Sequence, residues 1–137
     1  MKTKIRAYRL LSTVLALSAA LALPAYAHHS FPVQYDASKT VTLTGKITKV
    51  EWTNPHIFIY IDVPDEETGA VINWALEMGG PNALLRLGWK RNSLKPDDVI
   101  TVEGSLARDG SHLANAKTIV LAATGQRMLA GSSEGAE

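Results

Sequence analysis

The sequence predicts an all-β domain with one short helix, arranged as a small OB-fold-like five-stranded Greek-key barrel. Five stretches are rich in alternating apolar and polar residues or in β-branched and aromatic ones, and turn-forming residues bound them, as expected of strands. A sixth stretch has glycines on both sides of good helix formers. The order strand, strand, strand, helix, strand, strand is that of an OB-fold. An open β-meander or a fragment of a β-sandwich is the alternative.

The first three predicted strands form a meander. The first begins at Thr40, contains Gly45, which favours a bend or bulge, and ends at Asn54-Pro55. Residues 56–63 are rich in β-branched and aromatic side chains and form the second. After the acidic loop 64–69, residues 70–77 form the third.

The second half supplies the helix and two further strands. Pro81 near its start and Gly88 at its end indicate a helix within residues 79–88. A turn at 95–98 leads into the fourth strand, 99–104, and residues 115–122 form the fifth. We therefore expect the barrel domain to span 40–130, after an extended N-terminal arm at 28–39 and before a disordered tail at 131–137.

Residues 1–27 have the pattern of a secretory signal peptide. Four basic residues precede an apolar run from Leu10 to Leu23, which is short for a membrane span, and Ala25-Tyr26-Ala27 suits a cleavage site. Cleavage after Ala27 would make His28 the first mature residue. These features predict a periplasmic or secreted protein without a membrane anchor after cleavage, since no cysteine is present to carry a lipid.

Charge and cysteine content narrow the function classes. The predicted leader holds four of the 14 basic residues and none of the 13 acidic ones, so the mature chain carries ten against 13, a net charge of about −3. This balance argues against a nucleic-acid partner. The absence of cysteine excludes disulfides, thiolate metal sites and a cysteine nucleophile.

Four motifs occur in order along the mature chain. They are His28-His29-Ser30-Phe31, Tyr35-Asp36, 49–56 (Lys-Val-Glu-Trp-Thr-Asn-Pro-His), and 74–89 with its Trp-Ala-Leu-Glu and Gly-Pro-Asn-Ala-Leu-Leu-Arg words. Together they resemble a family of small exported bacterial proteins catalogued as a domain of unknown function. The resemblance implies a secreted or periplasmic single domain of this length, and it implies no activity, substrate or catalytic residue.

The histidines suggest a copper site. An N-terminal His28 would offer its α-amine and imidazole, and nitrogen ligands suit copper(II), which heads the divalent affinity order. This arrangement resembles the histidine brace of copper monooxygenases and periplasmic copper carriers, in which a histidine from the folded body completes the site. His56, after Asn54-Pro55, is the candidate for that third ligand, and His29 is a further one. Alternatively, His28 and His29 form a solvated end and His56 caps a strand.

A second set of residues suggests a ligand face. In OB-folds, strands two and three and the loop between strands one and two commonly bind ligands. Trp52 and Trp74 could stack a flat or sugar-like ligand. The polar candidates around them are Asn54, Glu77, Asn82 and Arg86, with Tyr60 and Trp89 nearby in the pattern. The alternative is that Trp74 and Trp89 fill the core and that Glu77 forms an ion pair with Arg86.

Common enzyme signatures are absent, since no serine lies in a nucleophile-elbow pattern and residues 79–81 lack the length and lysine of a phosphate-binding loop. We expect a non-enzymatic periplasmic protein that binds a copper ion through His28, His29 and His56, for carriage or storage. The alternative is a metal-independent module that binds a peptide, glycan or partner protein around Trp52 and Trp74. A redox-active copper enzyme is a third option.

Overall fold

The computed structural model describes residues 31–134, which form six strands and two short helices. In chain order they are α1 Phe31–Gln34, β1 Tyr35–Glu51, β2 Phe58–Pro64, β3 Val71–Glu77, α2 Pro81–Arg86, β4 Val99–Ala107, β5 Leu113–Leu121 and β6 Arg127–Leu129.

Five strands close into a ring. β1 pairs with β2 on one side and β4 on the other, β2 pairs with β3, and β4 pairs with β5, all antiparallel. The parallel pairing of β3 with β5 closes the ring over only three register pairs, from Ala75–Leu113 to Glu77–Asn115. With α2 between β3 and β4, this ring confirms the all-β, barrel-like fold that the sequence predicts, and its strand order is like that of an OB-fold. β6 adds an antiparallel edge strand to β5.

The long strand β1 pairs with both β4 and β2 because its partner changes along its length. Its first part pairs with β4, and its last residues pair with β2. The β2 pairing shifts register between Ile47 and Lys49, and Gly45 lies just before this irregularity. A Cβ on Gly45 would stand 2.5 Å from the carbonyl oxygen of Asp62. The glycine thus allows two backbones to approach closely at the bend.

The barrel interior is aliphatic. Alternate residues of the strands point inwards, which explains the period-two pattern in the sequence. The fully buried side chains include Ile59, Ile61, Leu76, Ile100 and Ile119. Trp89 is also buried, and its indole Nε1 donates a hydrogen bond to the Leu129 carbonyl at 2.7 Å. A smaller cluster of Phe31, Tyr35 and Ala107 lies apart from this core.

Both ends of the described chain contact the barrel. Within the expected extended arm, residues 31–34 form one helical turn, and β1 begins at Tyr35 rather than Thr40 because Tyr35 and Asp36 already pair with β4. Residues 131–134, expected to belong to a disordered tail, lie against β5. The predicted signal peptide, His28 and His29 lie outside the described residues. From residue 31 to residue 134, no helix has both the length and the apolar character needed to span a bilayer.

Candidate functional site

Three buried polar side chains lie side by side on neighbouring strands. Glu77 of β3 is in register with Asn115 of β5, and Asn115 is in register with Ser105 of β4. Their inward-facing neighbours Leu76 and Ala114 belong to the core, so these three side chains point outwards from the barrel. We call Glu77, Asn115 and Ser105 the polar row. They are 7% exposed or less, so something other than the barrel interior must cover them.

The C-terminal segment covers one end of the polar row. Ser132 donates its hydroxyl to Asn115 Oδ1 at 2.6 Å, and Asn115 Nδ2 donates to the Ser133 hydroxyl at 3.3 Å. Glu134 accepts a long hydrogen bond of 3.5 Å from Ser105 and forms an ion pair of 2.6 Å with Lys117. The buried amide and hydroxyl are therefore satisfied by the chain that follows β6.

The N-terminal segment covers the other end. The Tyr35 hydroxyl donates a hydrogen bond of 2.6 Å to Glu77 Oε2 in a buried environment. The ring of Phe31 lies 5.5 Å from the ring of Tyr35, centroid to centroid, so α1 packs onto the same tyrosine. A buried carboxylate is costly unless it is hydrogen-bonded, and Tyr35 supplies one such bond.

His56 contacts the other oxygen of the same carboxylate. His56 Nδ1 lies 3.4 Å from Glu77 Oε1 and 3.2 Å from the carbonyl oxygen of Met78. Two backbone hydrogen bonds anchor the chain next to His56. The Ile57 amide donates to the Gly79 carbonyl, and the Met78 amide donates to the Ile57 carbonyl. His56 directly follows the cis peptide Asn54-Pro55. Glu77 is thus shared between Tyr35 and His56, and we call these three residues the Glu77 cluster.

The pKa of the Tyr35 hydroxyl is raised far above its ordinary value. Burial is the largest cause, and the hydrogen bond and negative charge of Glu77 add to it. Ionising this phenol would place a second negative charge against a buried carboxylate. Tyr35 therefore remains a hydrogen-bond donor to Glu77 throughout the neutral range.

A second tyrosine–glutamate pair, which is only partly buried, gives a useful comparison. The Tyr60 hydroxyl donates to Glu51 Oε2 at 3.0 Å on the outer face of β1 and β2. Lys49 forms an ion pair with Glu51, and this hydrogen-bonded contact lowers the pKa of the Glu51 carboxyl. The Lys49 ammonium also lies 5.4 Å from the centre of the Tyr60 ring. Glu51 therefore has a lysine as its second partner, whereas the second partner of Glu77 is a histidine.

Among the described residues, one predicted metal ligand, His56, contacts a carboxylate. No cluster of three or more histidine or acidic side chains with the spacing of metal ligands occurs between Phe31 and Glu134. His56 and Glu77 are in contact, and the other predicted ligands, His28 and His29, lie outside that range. His112 is elsewhere, with its ring 5.0 Å from the ring of Trp74.

The structure places the two tryptophans of the predicted ligand face in different surroundings. Trp52 is half-buried beside Ile57 and Met78, and the Arg91 guanidinium lies 6.0 Å from its ring centre. Trp74 packs against the core three residues before Glu77 on β3, or about 10 Å along the strand. Trp52 therefore lies beside the residues that follow His56 and Glu77 in the chain, whereas Trp74 lies beside His112.

The polar candidates also separate. Asn54 and Asn82 are exposed, and Arg86 is exposed in the last turn of α2. The expected ion pair between Glu77 and Arg86 does not form, because Tyr35 and His56 occupy both carboxylate oxygens and Arg86 points to solvent. Of the predicted site residues described, the structure joins only His56 and Glu77 directly.

Sequence reasoning missed Tyr35, Asn115 and Ser105 as site residues. Tyr35 belongs to one of the motifs that carry the family resemblance, and nothing else in the sequence marks it as a site residue. Asn115 and Ser105 are ordinary strand residues whose burial depends on the tail that covers them. No local pattern marks a polar side chain that is buried on the outside of a barrel.

Comparisons with known proteins give one family and no curated relative. No curated protein matches the chain. A family described as a family of unknown function, DUF6152, matches residues 16–116, which include the Glu77 cluster and the Asn115 and Ser105 positions. This match confirms the resemblance to a domain of unknown function that the sequence motifs carry. The chain belongs to the family of unknown function DUF6152.

Proposed function

We propose that this protein is an exported, periplasmic copper-binding protein that carries or stores the ion. The proposed ligands are the α-amine and imidazole of His28, assisted by His29, and the imidazole of His56. The cofactor in this proposal is a single copper ion. Carriage or storage of the ion requires no catalytic residue, and the proposal assigns none.

The observation that carries the proposal is the Glu77 cluster. Tyr35 and His56 contact the two oxygens of one carboxylate, so the start of β1 is fixed beside the candidate ligand His56. Phe31 packs on Tyr35. His28 is three residues before Phe31, and three residues span at most about 10 Å of extended chain. In the proposed site, this short stretch would bring the N-terminal histidines to His56.

The surroundings of His56 suit a metal ligand. Metal-binding histidines commonly donate their second ring nitrogen to a carboxylate or a backbone carbonyl, which fixes the tautomer and the ring orientation. His56 Nδ1 has both partners, Glu77 Oε1 and the Met78 carbonyl. Nε2 would then bind the metal. In this arrangement Glu77 is a positioning residue that acts through His56.

The ligand chemistry favours copper over other first-row metals. Amine and imidazole nitrogens bind copper(II) most strongly in the divalent series. The chain has no cysteine, so the thiolate sites preferred by copper(I) and zinc are not available. Three or four nitrogen ligands in a square arrangement would match copper(II) geometry.

The test is a copper(II) titration of the purified mature protein, with its N-terminus established by intact mass and the metal followed by electron paramagnetic resonance. We expect one copper per chain, with nitrogen couplings and sub-micromolar affinity. His56→Ala should weaken binding and change the spectrum, whereas His112→Ala, the matched control, should not. One extra residue before His28 should also weaken binding, because it displaces the amine.

Affinity no greater than that of a short His-His peptide would overturn the copper proposal. That result would favour the metal-independent alternative, in which the protein is a binding module whose ligand contacts Trp52. The half-buried ring of Trp52 and the guanidinium of Arg91 above it are the observation that favours this second function. In that case Trp52→Ala should abolish partner binding while His56→Ala leaves it unchanged.

A further inference from the structure

A basic segment with exposed leucines occupies one end of the barrel. From Met78 to Pro96 the chain has four cations and no acidic residue; the cations are Arg86, Lys90, Arg91 and Lys95. The rest of residues 28–137 holds six Lys and Arg against 13 Asp and Glu. The charge is therefore uneven: this stretch has a net charge of +4, whereas the rest of residues 28–137 has a net charge of −7. We call residues 85–95 the basic segment.

Three cations of the basic segment, Arg86, Lys90 and Lys95, have no contact with an acidic or aromatic side chain among residues 31–134, whereas the Arg91 guanidinium lies 6.0 Å from the centre of the Trp52 ring. All four are exposed, and none takes part in the ion pairs found between residues 31 and 134. By contrast, Lys46, Lys49 and Lys117 elsewhere on the barrel each have an acidic partner. Unpaired cations concentrated in one place create a local positive potential that attracts an anionic surface.

Large apolar side chains are exposed in the same region. Leu85 is 53% exposed and Leu87 is 43% exposed, on either side of Arg86. Leu129, at 59%, joins them, since its carbonyl accepts the hydrogen bond from the Trp89 indole within the basic segment. A cavity of about 320 Å³ opens beside Lys90, and its lining is mixed, with Ser93 and Gln126 beside Leu94, Ile119 and Met128.

We propose that the basic segment docks this protein onto an anionic lipid bilayer surface. Lysine and arginine next to exposed leucine are the pattern of peripheral binding to anionic bilayers. Protein–protein interfaces, in contrast, are depleted in lysine. The leucines would enter the headgroup boundary while the cations contact lipid phosphates. This proposal is independent of the copper site.

Vesicle sedimentation tests the proposal. The purified protein should bind phosphatidylcholine vesicles that contain phosphatidylglycerol, bind pure phosphatidylcholine weakly, and release at high salt. Lys90→Gln/Lys95→Gln should lower the partition coefficient about 30-fold, since each cation at an anionic surface contributes about fivefold. Lys39→Gln/Lys49→Gln removes equal charge from outside the segment and should change binding little.

A second pair of variants tests the leucines. Leu85→Ser/Leu87→Ser should weaken vesicle binding at least about tenfold. The matched control Val33→Ser/Val71→Ser removes two exposed valines elsewhere and should leave binding unchanged. Absence of binding to anionic vesicles, or equal losses in the test and control variants, would overturn the proposal. The proposal would also be overturned, in favour of an acidic protein partner, if the protein bound soluble polyglutamate as tightly as anionic vesicles and the leucine variants bound polyglutamate normally.

Discussion

Tyr35 donates a buried hydrogen bond of 2.6 Å to Glu77, although 42 positions separate the two residues in the chain. The bond joins the start of β1 to the end of β3, which are not neighbours in the sheet. His56 lies against the other carboxylate oxygen. The stability of the N-terminal segment and the orientation of the proposed copper ligand therefore depend on one carboxylate.

Replacement of Tyr35 by phenylalanine should destabilise the fold. The change keeps the ring but leaves Glu77 Oε2 buried without its donor, which costs about 1–3 kcal/mol. Urea unfolding followed by tryptophan fluorescence measures the loss. Tyr60→Phe is the matched control, because it removes a similar hydrogen bond from a more exposed glutamate and should cost less than about 1 kcal/mol. Equal losses would contradict the importance of burial at Glu77.

The raised pKa of Tyr35 predicts a loss of stability at high pH. Above the ordinary tyrosine pKa of 10.0, the unfolded chain releases this proton while the folded chain retains it. The unfolded state then binds fewer protons, so the free energy of unfolding falls as pH rises, by about 1.4 kcal/mol per pH unit. Below pH 10 this contribution is fully present.

Tyr35→Phe should make the decline above pH 10 less steep, as measured by urea unfolding at several pH values. Lysine titration contributes equally to both proteins and cancels in the comparison. Tyr60→Phe should flatten the curve less, since Tyr60 is less buried. Parallel curves for Tyr35→Phe and the unmodified protein would show that the phenol ionises alike in both states.

Glu77→Gln should weaken copper binding without removing a ligand. An amide cannot match the carboxylate as acceptor for His56 Nδ1–H, and loss of such a partner typically lowers metal affinity 10–100-fold. The measurement is a copper(II) titration with the paramagnetic resonance spectrum as a second readout. Glu103→Gln, which removes an exposed carboxylate paired with Arg127, is the control and should bind copper normally. An unchanged spectrum in Glu77→Gln would exclude a positioning role.

Gly45→Ala should destabilise the barrel more than Gly69→Ala. A Cβ on Gly45 meets backbone of β2 at 2.5 Å, so β1 and β2 must separate locally, at a cost of about 1–3 kcal/mol. Gly69 has open space around it and only a positive φ of 72°, for which alanine costs about 1 kcal/mol. Thermal unfolding compares the two. A smaller loss at Gly45 would contradict the close approach of the strands.

The sequence predicts the barrel because its strands are amphipathic. Burial alternates along β2 and β4, and α2 begins at the proline that marks it. β6 has only three residues, too few for a recognisable period. The sequence predicts the start of β1 at Thr40, five residues too late, because the pairing with β4 is irregular between Asp36 and Thr40 and follows a helical turn. Pairing with a distant strand determines those residues, rather than local pattern.

The candidate site was less predictable from sequence. The sequence predicts His56 and Glu77 as site residues but assigns them other partners, copper for His56 and a bound ligand or Arg86 for Glu77. The residue that contacts Glu77 is Tyr35, and closure of the barrel is what brings the two together. Composition shows which groups can form hydrogen bonds, whereas only the tertiary fold determines which of them meet.

The short β3–β5 pairing has a mechanical consequence. It is the seam that closes the barrel, and both ends of the described chain cross it: Tyr35 bonds to Glu77, and Ala130 bonds through its backbone to Gly79 after β3 and Lys117 of β5. Opening the seam therefore requires release of both terminal segments together. The Ala75 amide, which donates across the seam to the His112 carbonyl at 2.9 Å, should exchange with solvent only in molecules whose two ends have detached, so seam and termini form one cooperative unit.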